Sequence, residues 1–456
     1  MDFSKEEQMG SAEIPRLILQ MSVPSIIAQV INVLYNIVDR IYIGHIPGVG
    51  SAALTGVGLT FPITILIAAF SSFSSAGGAP LSAIWLGKGD RERAEKILGS
   101  CMWLLLVFTV LLTVVFYAFH KPFLYAFGAS DDTIVYAASY LKIYLAGTLF
   151  VELAMGLNTF IIVQGQSRIA MCSILIGAVV NIALDPVFIF VLGWGVRGAA
   201  AATVISQAIS AFWNLRFLMG KKSTRKIRAS LIRFDKRAVQ NVFSLGISPF
   251  IMRSTECLIN IVMNRQLQVF GNDLYVGSMT IMQSVMQLLS APLSGFTQGV
   301  QPIISYNFGA GKFDRVKTIY RIMISICFVF AFVTTGVVIL FPEFFAGMFT
   351  TDADLVRLVG EVMPVFLLGM MFFGVQQGIQ PTFLALGQAK ISLFIALLRK
   401  VILLVPLALI LPHFLGVMGV YYAEPVSDLL SAATASVLFL ANIRKILSSE
   451  TLEKIV

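Results

Sequence analysis

Asp39, Asn181, Asp185 and Thr203 are the residues whose chemistry is hardest to explain as packing, because each falls inside a long apolar stretch. A charged side chain at the centre of a bilayer helix costs roughly 2.5 to 3.5 kcal/mol on insertion scales, so such carboxylates usually face a cavity or a partner. Asp39 ends a series of polar residues, Gln29, Asn32, Asn36 and Asp39, whose alternating spacing of three and four lines them along one helix face. Asn181 and Asp185 are one turn apart, and Pro186 follows to weaken the local backbone ladder and free a carbonyl. Two carboxylates, an amide and a hydroxyl form a hard oxygen set, the donor chemistry that suits a small hard cation.

Each residue alone has a plainer reading. Asp39 beside Arg40 fits an interfacial ion pair, and Asp185 before Pro186 fits a kink. Asparagines in membrane spans often join helices, and threonine there commonly bonds its own backbone. Only the combination points to a site. A second polar group lies further on: Arg253, Glu256, Asn260 and Asn264 share a face, Glu424 and Asp428 are one turn apart, and Arg399 offers a counter-charge. These residues fit a buried charge network better than a second cation site, since Gln376 and Gln377 stand where a further acidic ligand would be wanted.

The elements that must position these groups are membrane helices. Hydrophobic residues make up 57% of the 456 positions and charged ones 12%, against roughly 25% charged in a soluble domain; mean hydropathy is +0.85. Since about 20 apolar residues cross a bilayer, twelve spans are predicted, near residues 16–43, 52–75, 97–119, 134–158, 169–191, 199–219, 239–264, 274–300, 319–341, 355–379, 391–411 and 417–441. The two halves repeat at an offset of 222. Gly77, Pro80, Gly87, Gly89 and Arg93 recur as Gly299, Pro302, Gly309, Gly311 and Arg315, and Gly165, Gln166 and Arg168 as Gly387, Gln388 and Lys390. Six spans per half give both halves one orientation, so the pseudo-twofold axis should run along the membrane normal. The expected division is an amino-terminal segment 1–15, a six-helix lobe 16–218, a basic linker 219–237, a second six-helix lobe 238–442 and a tail 443–456.

Lysines and arginines set the orientation. They crowd the linker, the loops at Lys88 to Lys96 and Lys312 to Arg321, and the carboxyl end, whereas the opposite segments offer only Lys121, Arg197, Arg265 and Arg357. Both termini are therefore expected in the cytoplasm, with the chain in the inner (cytoplasmic) membrane. The amino terminus, acidic at Asp2, Glu6, Glu7 and Glu13, does not read as a cleaved signal. The net charge of +9 borders apolar spans without base-stacking aromatics, so anionic lipid headgroups rather than nucleic acid are the expected partner. No GxxxxGK[ST] loop is present, which argues against ATP, and His45, His120 and His413 fall at predicted outer loops, away from any intramembrane chemistry. The chain does not read as an enzyme, and no cofactor is expected. Cys101, Cys172, Cys257 and Cys327 read as small apolar residues.

Asp39 within NIVDRIYIG, the Asn181, Asp185 and Thr203 set, the twin glycine-bearing loops and the twelve spans resemble the multidrug and toxic compound extrusion (MATE) family, in its MepA-like bacterial branch, over roughly residues 15–442. The resemblance implies a MOP-type fold of two six-helix lobes forming a V. It also implies a site at Asp39, Asn181, Asp185 and Thr203 for a coupling H+ or Na+, and outward movement of small amphipathic, often cationic drugs by alternating access. A flippase for a lipid-linked metabolite is the alternative, and would want a basic cavity for which only Lys142, Arg253, Arg399 and Lys400 are available. A passive channel is a third reading, distinguished by conduction after neutralising Asp39 and Asp185. Met279, Met282, Met286, Phe61 and Phe150 suit an adaptable cavity, but equally suit packing.

Overall fold

The computed structural model describes residues 5–127, 129, 131–220, 223, 226–349 and 353–448. Lys221, Lys222, Arg225 and Lys454, and the side chains of Lys5 and Cys257, lie outside the described residues. Every regular element among them is helical. A short α1 (Lys5–Ser11) precedes α2 (Ile14–Gly44), α3 (Gly50–Gly58), α4 (Phe61–Gly87), α5 (Arg91–Ala126), α6 (Asp131–Ala146), α7 (Thr148–Val163), α8 (Ser167–Pro186) and α9 (Val196–Met219). The second half comprises α10 (Lys236–Phe270), α11 (Asp273–Gly309), α12 (Phe313–Leu340), α13 (Pro342–Gly347), α14 (Ala353–Leu367), α15 (Met370–Ala385), α16 (Ala389–Leu397), α17 (Val405–Ile410), α18 (Pro412–Leu415) and α19 (Met418–Ile446).

Eight spans among the described residues are each long and apolar enough to cross a bilayer, and two bent pairs raise the number to ten. Two further long helices, α9 and α11, complete twelve. They are less apolar because they spend polar side chains on neighbours: in α9, Ser210 donates to the Ser173 carbonyl at 2.9 Å and Asn214 to the Ala154 carbonyl at 2.9 Å. The second span begins as the separate helix α3. The fourth and tenth spans, which the hydropathy reads as single stretches, are broken, with bends of 59° between α6 and α7 and 45° between α14 and α15. Gly147 stands at the first break and Gly369 at the second, again 222 apart. A Cβ at Gly147 would run into Val204 of α9, and one at Gly369 into Pro425 and Asp428 of α19, so each bend lets the broken span close on the sixth helix of its own lobe.

The repeat is visible in the backbone. Gly89 and Gly311 adopt φ of 80° and 71°, and Gly165 and Gly387 φ of 73° and 72°, a left-handed conformation that glycine takes without a Cβ penalty. The lobes also meet reciprocally. A Cβ on Gly87 would strike the Tyr306 carbonyl, and one on Gly309 the Ile84 carbonyl; residues 84 and 306 are themselves 222 apart. Such exchange of equivalent contacts is the signature of a twofold axis. On either side of it α4 packs on α10 and α2 on α11, with small residues at the contact: Gly77 lies against Val242 and Gly246, and Gly299 against Met21 and Ser22.

The contacts between lobes occupy one end of the molecule. Phe73 meets Phe243 at 4.5 Å and Phe250 at 5.7 Å. Gln29 donates to Gln298 at 2.9 Å, and along α2 it is the last described residue with a hydrogen bond to the other lobe. The same end is capped by α1 and its continuation: Asn307, Lys312 and Arg315 donate to the carbonyls of Met9, Gly10 and Ala12 at 2.8, 2.7 and 2.7 Å. Toward the other end, where α2 finishes and α4 begins, no side-chain hydrogen bond or ring contact joins the lobes among the described residues, which leaves a cleft between them.

Candidate cation site and central cleft

Beyond Gln29, the face of α2 turns toward its own lobe. Asp39 is partly exposed, and its carboxyl lies within hydrogen-bonding reach of the Asp185 carboxyl of α8. Asp185 and Asn181 are fully buried and Thr203 of α9 is 8% exposed. Asn181 Nδ2 faces Asp185 Oδ1 at 3.4 Å and Thr203 Oγ1 at 3.4 Å. Four residues from three helices are thus brought together, and α8, packed on both α2 and α9, joins them. At Val187, directly after Asp185 and Pro186, the helix widens into a π-helical turn to Val191, a local departure often found at functional positions.

Three oxygens of this group, Asp39 Oδ1, Asp185 Oδ2 and Asn181 Oδ1, are buried without a hydrogen-bond partner. Two facing carboxylates cannot both remain ionised cheaply in a low-dielectric setting, and unmatched acceptors need either a proton or a cation. Among the described residues no three His, Cys, Asp or Glu converge, so the donor set is two carboxylates supplemented by an amide and a hydroxyl. That set fits a proton or a small monovalent cation.

Of the polar stripe on α2, Gln29 serves the lobe interface, while Asn36 is exposed and turns back on the Asn32 carbonyl at 2.5 Å. Asn32 is partly buried. Arg40 makes no ion pair with Asp39; its guanidinium lies 4.4 Å from the Phe61 ring centroid. Sequence reasoning missed a tyrosine shell. Tyr35 interacts with Asp39 and Asp185 and lies close to Gln207, and Tyr140 of α6 lies close to Thr203 and stacks at 6.2 Å on Tyr144. Tyr35, one turn before Asp39, was visible as part of the same face.

The second polar group separates into parts. Arg399 is buried between Glu424 at 3.0 Å and Asp428 at 2.6 Å, with its guanidinium 3.9 Å from the Phe373 centroid. Lys400 reaches Glu256 at 3.4 Å at the edge of the cleft. Asn260 accepts from Gln283 at 2.6 Å, and Arg253 is exposed. Arg399 and Lys400 both occupy a π-helical turn, Leu398–Leu404, in the eleventh span. Gln376 accepts from Ser431 at 2.6 Å. Cys101, Cys172 and Cys327 are free thiols.

A family model described as MatE matches residues 24–187 and 250–410. The multidrug export protein MepA of Staphylococcus haemolyticus (strain JCSC1435) is 27% identical over 434 residues, covering 94% of this chain and 95% of that protein. MepA of Staphylococcus aureus (strain MSSA476) is 25% identical, with 99% of each chain covered. In fold, the chain is similar to an outward-facing conformation of a multidrug resistance MATE family transporter of the MOP superfamily, at TM-score 0.89 and 22% identity over the full length of both chains.

Proposed function

Because this chain belongs to the MATE family of multidrug transporters, a multi-pass membrane protein and not an enzyme, we propose that it exports small amphipathic, often cationic compounds in exchange for H+ or Na+. The observation that carries this reading is the group of three unpartnered buried oxygens on Asp39, Asn181 and Asp185, with Thr203 beside them, at the wall of a cleft between two lobes. With both termini cytoplasmic, the lobes are closed toward the cytoplasm and the cleft opens outward. The coupling cation enters from outside, reaches Asp39 first because it is the more exposed carboxyl, and is shared with Asp185.

Exchange requires that cation and drug disfavour each other. Neutralising one charge of the pair removes about 2 kcal/mol of attraction for a cationic drug roughly 8 Å away at an effective dielectric near 20. That is within the range of ordinary coupling energies and changes affinity about thirtyfold. Tyr35 and Tyr140, which link Asp39, Asp185 and Thr203 to α2 and α6, carry the change of state into helix packing. The polarity of the charged residues favours export of drugs over flipping of an anionic lipid-linked compound: Arg399 is spent on Glu424 and Asp428, and Lys400 on Glu256. Drug efflux from everted vesicles, with sodium and pH gradients imposed separately, tests the proposal. Efflux driven by at least one gradient is expected; efflux indifferent to both would refute cation exchange.

A further inference from the structure

At the end of the molecule where the lobes are joined, the segment that leads into the amino lobe is held by the carboxy lobe. α2 starts at Ile14 and α10 at Lys236, again 222 apart, so α1 and residues 12–13 stand before the first lobe as the linker stands before the second. Each of these lead-in segments crosses to the other lobe. Residues 228–234, which enter α10, lie on α5: Arg228 pairs with Glu95 at 3.2 Å, the Leu231 carbonyl abuts Gly99 and Phe234 lies 5.3 Å from Trp103. The other segment, which enters α2, lies on the end of α11 and the start of α12. Asn307 Nδ2 donates to the Met9 carbonyl at 2.8 Å, Lys312 Nζ to that of Gly10 at 2.7 Å and Arg315 Nη2 to that of Ala12 at 2.7 Å.

The two crossings differ in what they join. The linker also continues from α9, so its hold on α5 ties together parts of one lobe. The amino-terminal crossing spans the seam between lobes, and it is polar. The last carbonyls of a helix have no partner inside it, and lysine and arginine side chains are apt donors to them. Asn307 is fully buried and also accepts from Arg315 Nε at 3.0 Å, so the three donors form one clasp. Met9 is fully buried, and a Cβ at Gly10 would meet the Tyr306 ring and Lys312 Nζ. At the 222 offset Asn307, Lys312 and Arg315 correspond to Trp85, Asp90 and Arg93. There the charges close on their own loop: Arg93 pairs with Asp90 at 3.3 Å, and its guanidinium lies 4.4 Å from the Trp85 ring centroid. The clasp is therefore a departure from the twofold.

We propose that α1 and residues 12–13 form a latch that holds the joined end shut and must leave Asn307, Lys312 and Arg315 before that end can open. The latch rests on the exporter reading in one respect: the joined end must open during the cycle. Beside it the seam between α2 and α11 is made of small residues, with Gly299 against Met21 and Ser22 and Gly295 against Ser25 and Ile26. Parting that seam forfeits packing. Parting the clasp also strips two cations and a buried amide of their acceptors, and hydrogen bonds from charged donors are the stronger class. Because the acceptors are backbone carbonyls, the latch depends on its three donors and on the space at Gly10.

Pulsed electron–electron distance measurements between spin labels at Arg91 and Thr318, exposed on the two lobes at the joined end, test the latch in full-length protein whose native cysteines are replaced. Wild type should show a short and a long distance. K312Q/R315Q should raise the ratio of long to short about tenfold, an effect held down by the exposure of Lys312. Gly10→Val, which presses on the same contact from the strap's side, should move the ratio the same way, and K312R should leave it as in wild type. Ratios within about twofold of wild type in folded K312Q/R315Q and Gly10→Val, while wild type shows both distances, would overturn the latch and leave the exporter reading standing. So would a lower melting temperature in these variants with no change of ratio, which would make the clasp merely structural. Hydrogen exchange of the unmodified chain needs no variant: protection of residues 9–12 should fall under the gradient that favours the long distance, and constant protection would overturn the latch. A single short distance in every variant and under every imposed gradient would overturn the exporter reading and the latch together.

Discussion

Replacing Arg399 by Met should destabilise the carboxy lobe far more than neutralising the whole network around it. Arg399 is 7% exposed and bonds two carboxylates that are 7% and 1% exposed; Ser427 donates to its carbonyl at 2.7 Å and Phe373 stacks beneath it. Removing only the guanidinium leaves Glu424 and Asp428 facing each other uncompensated, and breaking a buried pair in this way costs about 3 to 5 kcal/mol. That corresponds to roughly two to four orders of magnitude in the folded-to-unfolded ratio. R399M/E424Q/D428N removes the unpaired charges together, so it should recover at least half of the loss. Reversible unfolding in mixed micelles, followed for wild type and both variants, measures this. A second readout separates a scaffold from a transport site: the triple variant, once folded, should keep gradient-driven efflux and its ion dependence. A cost below about 1 kcal/mol for R399M would refute the structural reading of the network. Loss of ion coupling in a well-folded triple variant would refute it from the other direction and make the group a second cation site.

Asn181→Ala and Thr203→Val should impair sodium-driven efflux more than proton-driven efflux, because a proton needs no oxygen cage; transport rates under each gradient decide this. Glu256→Gln, at the exposed end of the Lys400 pair, should reduce efflux less than Asp39→Asn in the same vesicles. Gly87→Val and Gly309→Val should give matching defects in lobe closure, since each pushes a side chain into the equivalent carbonyl of the other lobe, Tyr306 or Ile84; a cross-lobe distance probe that moved in only one variant would contradict the twofold relation. Cysteine at Ser230, exposed in the linker, should resist an impermeant thiol reagent in intact cells while cysteine at Lys121 labels. Ser223 is unsuitable for that test because it is buried against Gln164.

The sequence carried the repeat because glycines with positive φ and glycines at helix crossings tolerate no substitute, so Gly87 and Gly309 kept their register. It carried the pairing of Asn181 with Asp185 because one helical turn is a fixed distance. The meeting of α2, α8 and α9 was not deducible from spacing and needed the fold. Breaks at Gly147 and Gly369 were hidden because hydropathy averages across a bend, and neither glycine differs from its neighbours until Val204 or Pro425 is placed against it. The π-helical turns at Val187 and Leu398 leave no periodic trace over so few residues, although Pro186 marked the first as a weak point of the ladder. Tyr35 and Tyr140 stayed unnoticed because a tyrosine in a span reads equally as packing or as an interfacial anchor.

Whether cation and drug compete through Asp39 and Asp185 is best measured as linkage on purified protein. The dissociation constant of a fluorescent cationic drug is determined with and without sodium and across a pH series, and the cation affinity is determined with and without drug. The account predicts that one of the two cations weakens drug binding about thirtyfold, that the drug weakens that cation by the same factor, and that Asp39→Asn and Asp185→Asn each abolish the effect while the proteins remain folded. Drug affinity independent of both cations in the wild type, or unchanged linkage in both variants, would contradict it.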